Sequence, residues 1–360
     1  MIPAILLLLV VLAAANGAND VSKGVATLAG AGVTRYRTAI VWGAAATLAG
    51  GLLSITTGHA MGKLFSSGII GGNPTRAFAL AVLVGTTAWV TLASIVRLPV
   101  STTHALVGSL IGTGLLFASD EVHWHGLVVK VAVPLLASIA LAYGASLLIS
   151  IVVQSRSRRA RRRPADSADP ESSGGTAARS EIGTDMTATA LLTRTETEQQ
   201  TKTSTDRGQR AVTAVHWLSA GAASAARGLN DTPKIAAVGA FALVPAGLTL
   251  SEVALIVALA MCLGSLLGIR VARTLGERVV KMSHTDGLRA NLVTAALVGA
   301  GATLGWPMST THVSTGSIAG TAGRQFDRLN RKVLRDFVIA WTITPIFAAL
   351  VAALVYVIVR

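Results

Sequence analysis

Two stretches of this chain put the same polar trio, two of its members ionisable, where apolar residues would be expected. NGANDVSKG (residues 16–24) and RGLNDTPKI (227–235) share the spacing Asn-Asp-x-x-Lys inside long hydrophobic runs. The residues concerned are Asn19, Asp20 and Lys23, and Asn230, Asp231 and Lys234. A charged side chain at the bilayer centre costs about 2.5–3.5 kcal/mol on insertion scales, so such groups line polar cavities and pair with a partner. Asp and Lys three residues apart meet on one helix face. A structural ion pair sealing two helices would account for a single copy; duplication favours a ligand site. Gly17, Gly24, Gly228 and Pro233 lie in or beside the trios. They predict two broken helices whose freed backbone groups can serve a ligand.

A second motif is also duplicated. LPVSTTHALVGSLIGTG (98–114) aligns with WPMSTTHVSTGSIAGTA (306–322). Proline favours the first helical turn and Ser or Thr the N-cap, so each motif reads as a helix N-terminus. Such an end offers unpaired N–H groups and partial positive charge. The hydroxyls of Ser101, Thr102 and Thr103, and of Ser309, Thr310 and Thr311, add donors. Two such ends facing one pocket describe a site for a compact oxyanion. Single Ser-Thr-Thr runs commonly just pack between helices, but the proline-led duplicate argues against that. His104 and His312 close the motifs. A histidine titrates near pH 6.5 when unperturbed, so both, with Asp20 and Asp231, form a candidate proton relay; a hydrogen-bonded interior role is the favoured reading of the histidines. The spacing suggests no metal site, and nothing calls for a cofactor.

The elements that must hold these motifs are membrane helices. The 360 residues are 52% hydrophobic and 13% charged, against about 25% charged in soluble domains, and the mean hydropathy is +0.61. This predicts an all-α polytopic membrane protein. Apolar segments fall near 3–33, 38–58, 77–96, 98–118 and 127–153, and again near 212–243, 250–269, 290–305, 306–323 and 336–359. Most have the roughly 20 residues a spanning helix needs, giving ten expected crossings. The polar stretch between them predicts three parts: a first membrane repeat (1–153), a disordered linker (154–211) and a second membrane repeat (212–360). The net charge of +14 and the run SRSRRARRR (155–163) could suit nucleic acid. Loop placement explains them better, because cytoplasmic loops collect Lys and Arg. On that rule the linker is cytoplasmic and both termini lie outside, as do the loops 118–126 and 243–252; Lys63 and Arg76 fit this scheme poorly. No Lys or Arg precedes Lys23, so the first segment lacks the basic start of a signal peptide. Cys262 is the single cysteine, which rules out an intrachain disulfide.

The two motifs recur in the same order, 81 residues apart in the first half and 78 in the second. With an odd number of crossings per half, the second half starts from the opposite side. An inverted-topology repeat with interrupted helices is the pattern of secondary transporters, whose substrate sits near the midplane.

GANDVSKG, LPVSTTH, GLNDTPK and WPMSTTH, in this order, resemble the inorganic phosphate transporter (PiT) family, a likeness that spans both apolar halves and leaves out the linker. The resemblance implies an inverted-repeat symporter, two re-entrant hairpins around the STTH motifs, inorganic phosphate as substrate and a homodimer in the cell membrane. The family's usual GANDVAN carries a second Asn that helps bind the coupling cation in sodium-driven members. Here Lys23 and Lys234 stand at that position. A tethered ammonium beside a carboxylate can replace a bound sodium ion, so the expected coupling cation is a proton, with sodium as the alternative. Sulfate or another tetrahedral oxyanion stays open as substrate. An intramembrane hydrolase would need a nucleophile elbow or HExxH, and neither is here; a receptor or scaffold would leave the midplane charges without purpose.

Overall fold

The computed structural model describes residues 1–162, 185–279, 282–323 and 325–360. The described residues are helical apart from turns, loops and isolated bridge residues, among them the antiparallel pair Ile70 and Val122. In the first half, α1 (Ile2–Asp20) and α2 (Ser22–Gly30) form one long run, followed by α3 (Tyr36–Thr57) and a short α4 (His59–Lys63). α5 (Arg76–Ile95) and α6 (Thr102–Phe117) make a hairpin, and α7 (Trp124–Gly126) leads through a π-helical turn into α8 (Val133–Arg162). The second half holds α9 (Asp185–Leu243), α10 (Leu250–Ser265), α11 (Ile269–Arg278), a hairpin of α12 (His284–Leu304) with α13 (Thr310–Gly320), and α14 (Arg331–Val359).

Three expectations change. Among the described residues, six helical runs are long and apolar enough to cross a bilayer, or seven if α10 and α11, bent by 66°, count as one. Ten crossings are not available: α9, expected to cross at 212–243, is not among these runs, and α6 and α13 have 16 and 11 residues. At 1.5 Å per residue these two reach only ~24 and ~17 Å, short of the ~30 Å hydrocarbon core. Both start at a proline-led cap inside the protein instead of at its surface. Second, only the first trio sits at an interruption, the single residue Val21 between α1 and α2. α9 runs unbroken through 227–234 with Pro233 inside it. The glycines there serve close approach: Gly228 faces the backbone of Thr47 on α3, and Gly17 that of Met261 on α10. Third, helical backbone continues into both ends of the stretch expected as a disordered linker, to Arg162 and from Asp185. That stretch mixes Glu, Gln, Lys and Arg with its Ser and Thr, and these straight-chain residues tolerate helix well. Residues 163–184 of the expected linker lie outside the described residues.

Packing partners exchange between the halves. α6 packs on α14 and α13 on α8; α3 packs on α9 and α1 on α10. The hairpin turns match in detail as well. Arg97 (φ 66°) and Gly305 (φ 70°) occupy equivalent left-handed positions. Leu98 N–H donates to the Ala93 carbonyl at 2.9 Å, and Trp306 N–H to the Gly301 carbonyl at 2.8 Å. On the short helices, Gly108 and Gly112 meet the backbone of Pro345 and Ala349, while Gly316 and Gly320 meet that of Ile139 and Tyr143. Small residues four apart let helix backbones approach closely in a membrane. These contacts fix where each short helix begins, and so where its STTH motif sits.

Candidate functional site

The four motifs converge. Ser101 and Ser309 are the N-caps of α6 and α13, accepting from the N–H groups of His104 and His312 at 3.3 and 3.2 Å. Ser309 Oγ also donates to Ser101 Oγ at 3.0 Å, so the two helix ends meet tip to tip. One turn further, the rings of His104 and His312 lie 4.7 Å apart between centroids, and the His312 ring also lies tilted against Trp341 at 4.3 Å. The His312 ring contacts the Leu135 carbonyl at 3.2 Å, while His104 Nδ1 and His312 Nε2 have no partner.

The trios close round these ends. Lys23 pairs with Asp20, donates to the Val100 carbonyl at 3.1 Å, and reaches Thr310 Oγ1 at 3.5 Å. Lys234 donates to Asp231 at 3.3 Å, to the Met308 carbonyl at 3.3 Å, and to Thr103 Oγ1 at 3.0 Å. Each lysine therefore holds the turn of its own half and a threonine of the other. Thr310 donates to Asp20 Oδ2 at 3.1 Å, and Thr311 to the Val100 carbonyl at 2.6 Å. Asn19 clasps the first turn, donating to the Leu98 carbonyl at 2.9 Å and accepting from Val100 N–H at 3.2 Å. Asn230 donates to the Met308 carbonyl at 3.1 Å and to Asp231 at 2.8 Å. All fourteen residues singled out from the sequence lie buried in this one cluster.

The two carboxylates differ. Both oxygens of Asp20 have donors, Lys23 on one and Asn16 and Thr310 on the other. Asp231 Oδ2 has no partner, although a buried acceptor left unsatisfied costs about 1–3 kcal/mol.

Two residues of the cluster went unassigned in the sequence. Asn16 donates to Thr102 Oγ1 at 2.8 Å and to Asp20 at 3.4 Å. Arg227, 1% exposed, donates to Thr47, to Ser265 Oγ at 3.3 Å and to the Gly17 carbonyl at 3.4 Å, with no carboxylate among these partners. Both stand four residues before the aspartate of their motif. Extending the repeat one helical turn upstream would have found them. With Arg227 included, the buried centre holds three cations and two carboxylates in formal charge. A net positive interior with two helix N-termini can hold an anion and orient its oxygens.

The fold defines a multi-pass helical membrane protein built around a buried polar centre. The chain matches the profile of the phosphate transporter family over residues 16–352, and it belongs to that family. It is 30% identical to a probable low-affinity inorganic phosphate transporter of Mycobacterium bovis, covering 98% of this chain and 77% of the relative. A probable low-affinity inorganic phosphate transporter of Rhizobium meliloti is 27% identical, over 95% and 91% of the two chains. A putative phosphate permease of Pyrococcus abyssi is 26% identical, over 98% and 96%. The fold is that of a solved sodium-dependent phosphate transporter, with a TM-score of 0.72 at 22% identity, covering 99% of this chain and 98% of that one.

Proposed function

We propose that this protein is a secondary transporter that imports inorganic phosphate by proton symport, with its two halves as an inverted repeat and α5–α6 and α12–α13 as re-entrant hairpins. The observation that carries the reading is the tip-to-tip meeting of Ser101 and Ser309 between two Asp–Lys pairs. When phosphate binds, the hydroxyls of Ser101, Thr102, Thr103, Ser309, Thr310 and Thr311 and the N–H groups of both helix ends donate to its oxygens. Lys23 and Lys234 supply charge, and Asn19 and Asn230 hold the turns in register. The ammonium groups have only donors, so they cannot ligate sodium; they occupy its place beside each carboxylate. Asp20 and Asp231, with the His104–His312 pair, form the proton relay, and Asp231 Oδ2 is without a hydrogen-bond partner.

On this reading the inner end of each long helix follows the basic loops, so both termini lie outside, residues 154–211 are cytoplasmic, and two copies assemble as a dimer. Uptake of labelled phosphate by proteoliposomes tests the function. Proton-driven uptake in choline buffer, unaffected by excess sulfate, is expected. Strict sodium dependence would overturn proton coupling, and sulfate displacing phosphate at equal concentration would overturn phosphate selectivity.

A further inference from the structure

Lys63 is a basic residue in the stretch between α3 and α5, where the charge rule expects none, and the site described above gives it no role. It lines a cavity of about 710 Å³ between α3–α4 and α9–α10. The cavity floor is Pro233 with Ser54, and the walls include Ala237, Ala240 and Phe241. Pro233 is the residue before Lys234 and two after Asp231, both of which are almost wholly buried. The space thus stops one helix face short of the binding centre. Lys63 is exposed on its rim, no acidic residue lines it, and Lys63 forms no ion pair among the described residues.

The equivalent region of the other half is tightly packed. Residues 22–30 of α2 correspond to 233–241 of α9, and α11 follows α10 as α4 follows α3. There Gly276 on α11 faces the Ala26 carbonyl of α2, and Gly30 faces the Gly276 backbone. One side of the repeat is therefore parted down to the motif and the other is shut. A rigid-body exchange between two such arrangements is how an inverted repeat gives alternating access. Pro233 lacks an N–H and leaves the Leu229 carbonyl without its i+4 helical donor, which weakens α9 at the floor.

We propose that this cavity is the anion's access vestibule, closed at Pro233, and that Lys63 on its rim collects the anion. The inference rests on the oxyanion-transport reading. A single rim charge acts before binding, so it raises the local anion concentration and leaves the chemistry of the centre alone.

Two measurements test it. Lys63→Gln should raise the KM for phosphate on the order of threefold at low ionic strength, with the maximal rate unchanged and Lys63→Arg close to wild type. The difference should fade towards ~1 M salt, where the screening length is about 3 Å. In a Cys262→Ala background, Ala240→Cys should react with a membrane-impermeant sulfonated methanethiosulfonate from one side of the membrane only, and uptake should stop. An unchanged KM in Lys63→Gln overturns the role of Lys63, as does an increase that survives high salt. A thiol at 240 that is unreactive from both sides, or equally reactive from both, overturns the vestibule. Absence of phosphate uptake in the wild type would sink the functional reading instead, and the labelling would still report on the cavity.

Discussion

Removing the Lys234 ammonium alone should cost far more stability than removing it together with its carboxylate. Lys234→Met keeps most of the stem but deletes donors to Asp231 (3.3 Å), the Met308 carbonyl (3.3 Å) and Thr103 (3.0 Å). Asp231 is then a buried charge whose remaining donor is Asn230 at 2.8 Å. Breaking one partner of a buried pair costs about 3–5 kcal/mol, whereas replacing both is often near neutral. Lys234→Met combined with Asp231→Asn should therefore recover most of the lost stability. Asn keeps the shape at 231 without the charge, and leaves only Thr103 Oγ1 short of its donor, because Asn230 still donates to the Met308 carbonyl at 3.1 Å. Uptake should not recover, because the double variant has lost an anion-attracting cation from the centre. Thermal unfolding in detergent, followed by monodisperse fraction on size exclusion, measures stability. Proteoliposome uptake measures function. If the double variant is as unstable as the single, or the single melts like wild type, the buried pair is not what holds α9 to the 305–309 turn.

Arg97 is the only non-glycine with positive φ among the described residues, and its repeat partner is a glycine. Arg97→Gly should stabilise the protein by about 1 kcal/mol and Gly305→Ala destabilise it by a similar amount, both read as melting shifts. Ser101→Ala with Ser309→Ala removes two N-caps and the contact between them. At about 1 kcal/mol per cap the protein should still fold, but the KM for phosphate should rise or uptake vanish; unchanged kinetics would refute the helix-end site. Lys23→Asn with Lys234→Asn should abolish uptake or make it respond to sodium, measured in sodium against choline buffer at fixed pH. A cysteine at Ser172, in the Cys262→Ala background, should be labelled only from the cytoplasmic face; labelling from outside would reverse the assigned topology.

The chemistry of the site was legible in the chain because it is written twice. Asp20 and Lys23 recur as Asp231 and Lys234, and both STTH motifs follow a proline, so residue types and local spacing pointed to paired charges beside helix ends. Those are interactions within a few residues of one another, and helix geometry alone decides them. That the two serine caps touch, that each lysine reaches a threonine of the other half, and that Asp231 keeps a free oxygen depend on contacts between segments some two hundred residues apart. No local pattern encodes those distances. The same limit explains the broken helix expected at 227–234. Gly228 and Pro233 carry the signature of a break, yet α9 stays continuous because Gly228 is needed for the approach of α3. Hydropathy likewise showed that residues 98–118 and 306–323 are apolar. It could not show that their helices begin in the protein interior, because burial against another helix and burial in lipid leave the same composition. Arg227 marks the boundary most clearly: its letter was visible beside the motif, but only packing against Thr47, Ser265 and Gly17 makes it a cation of the centre.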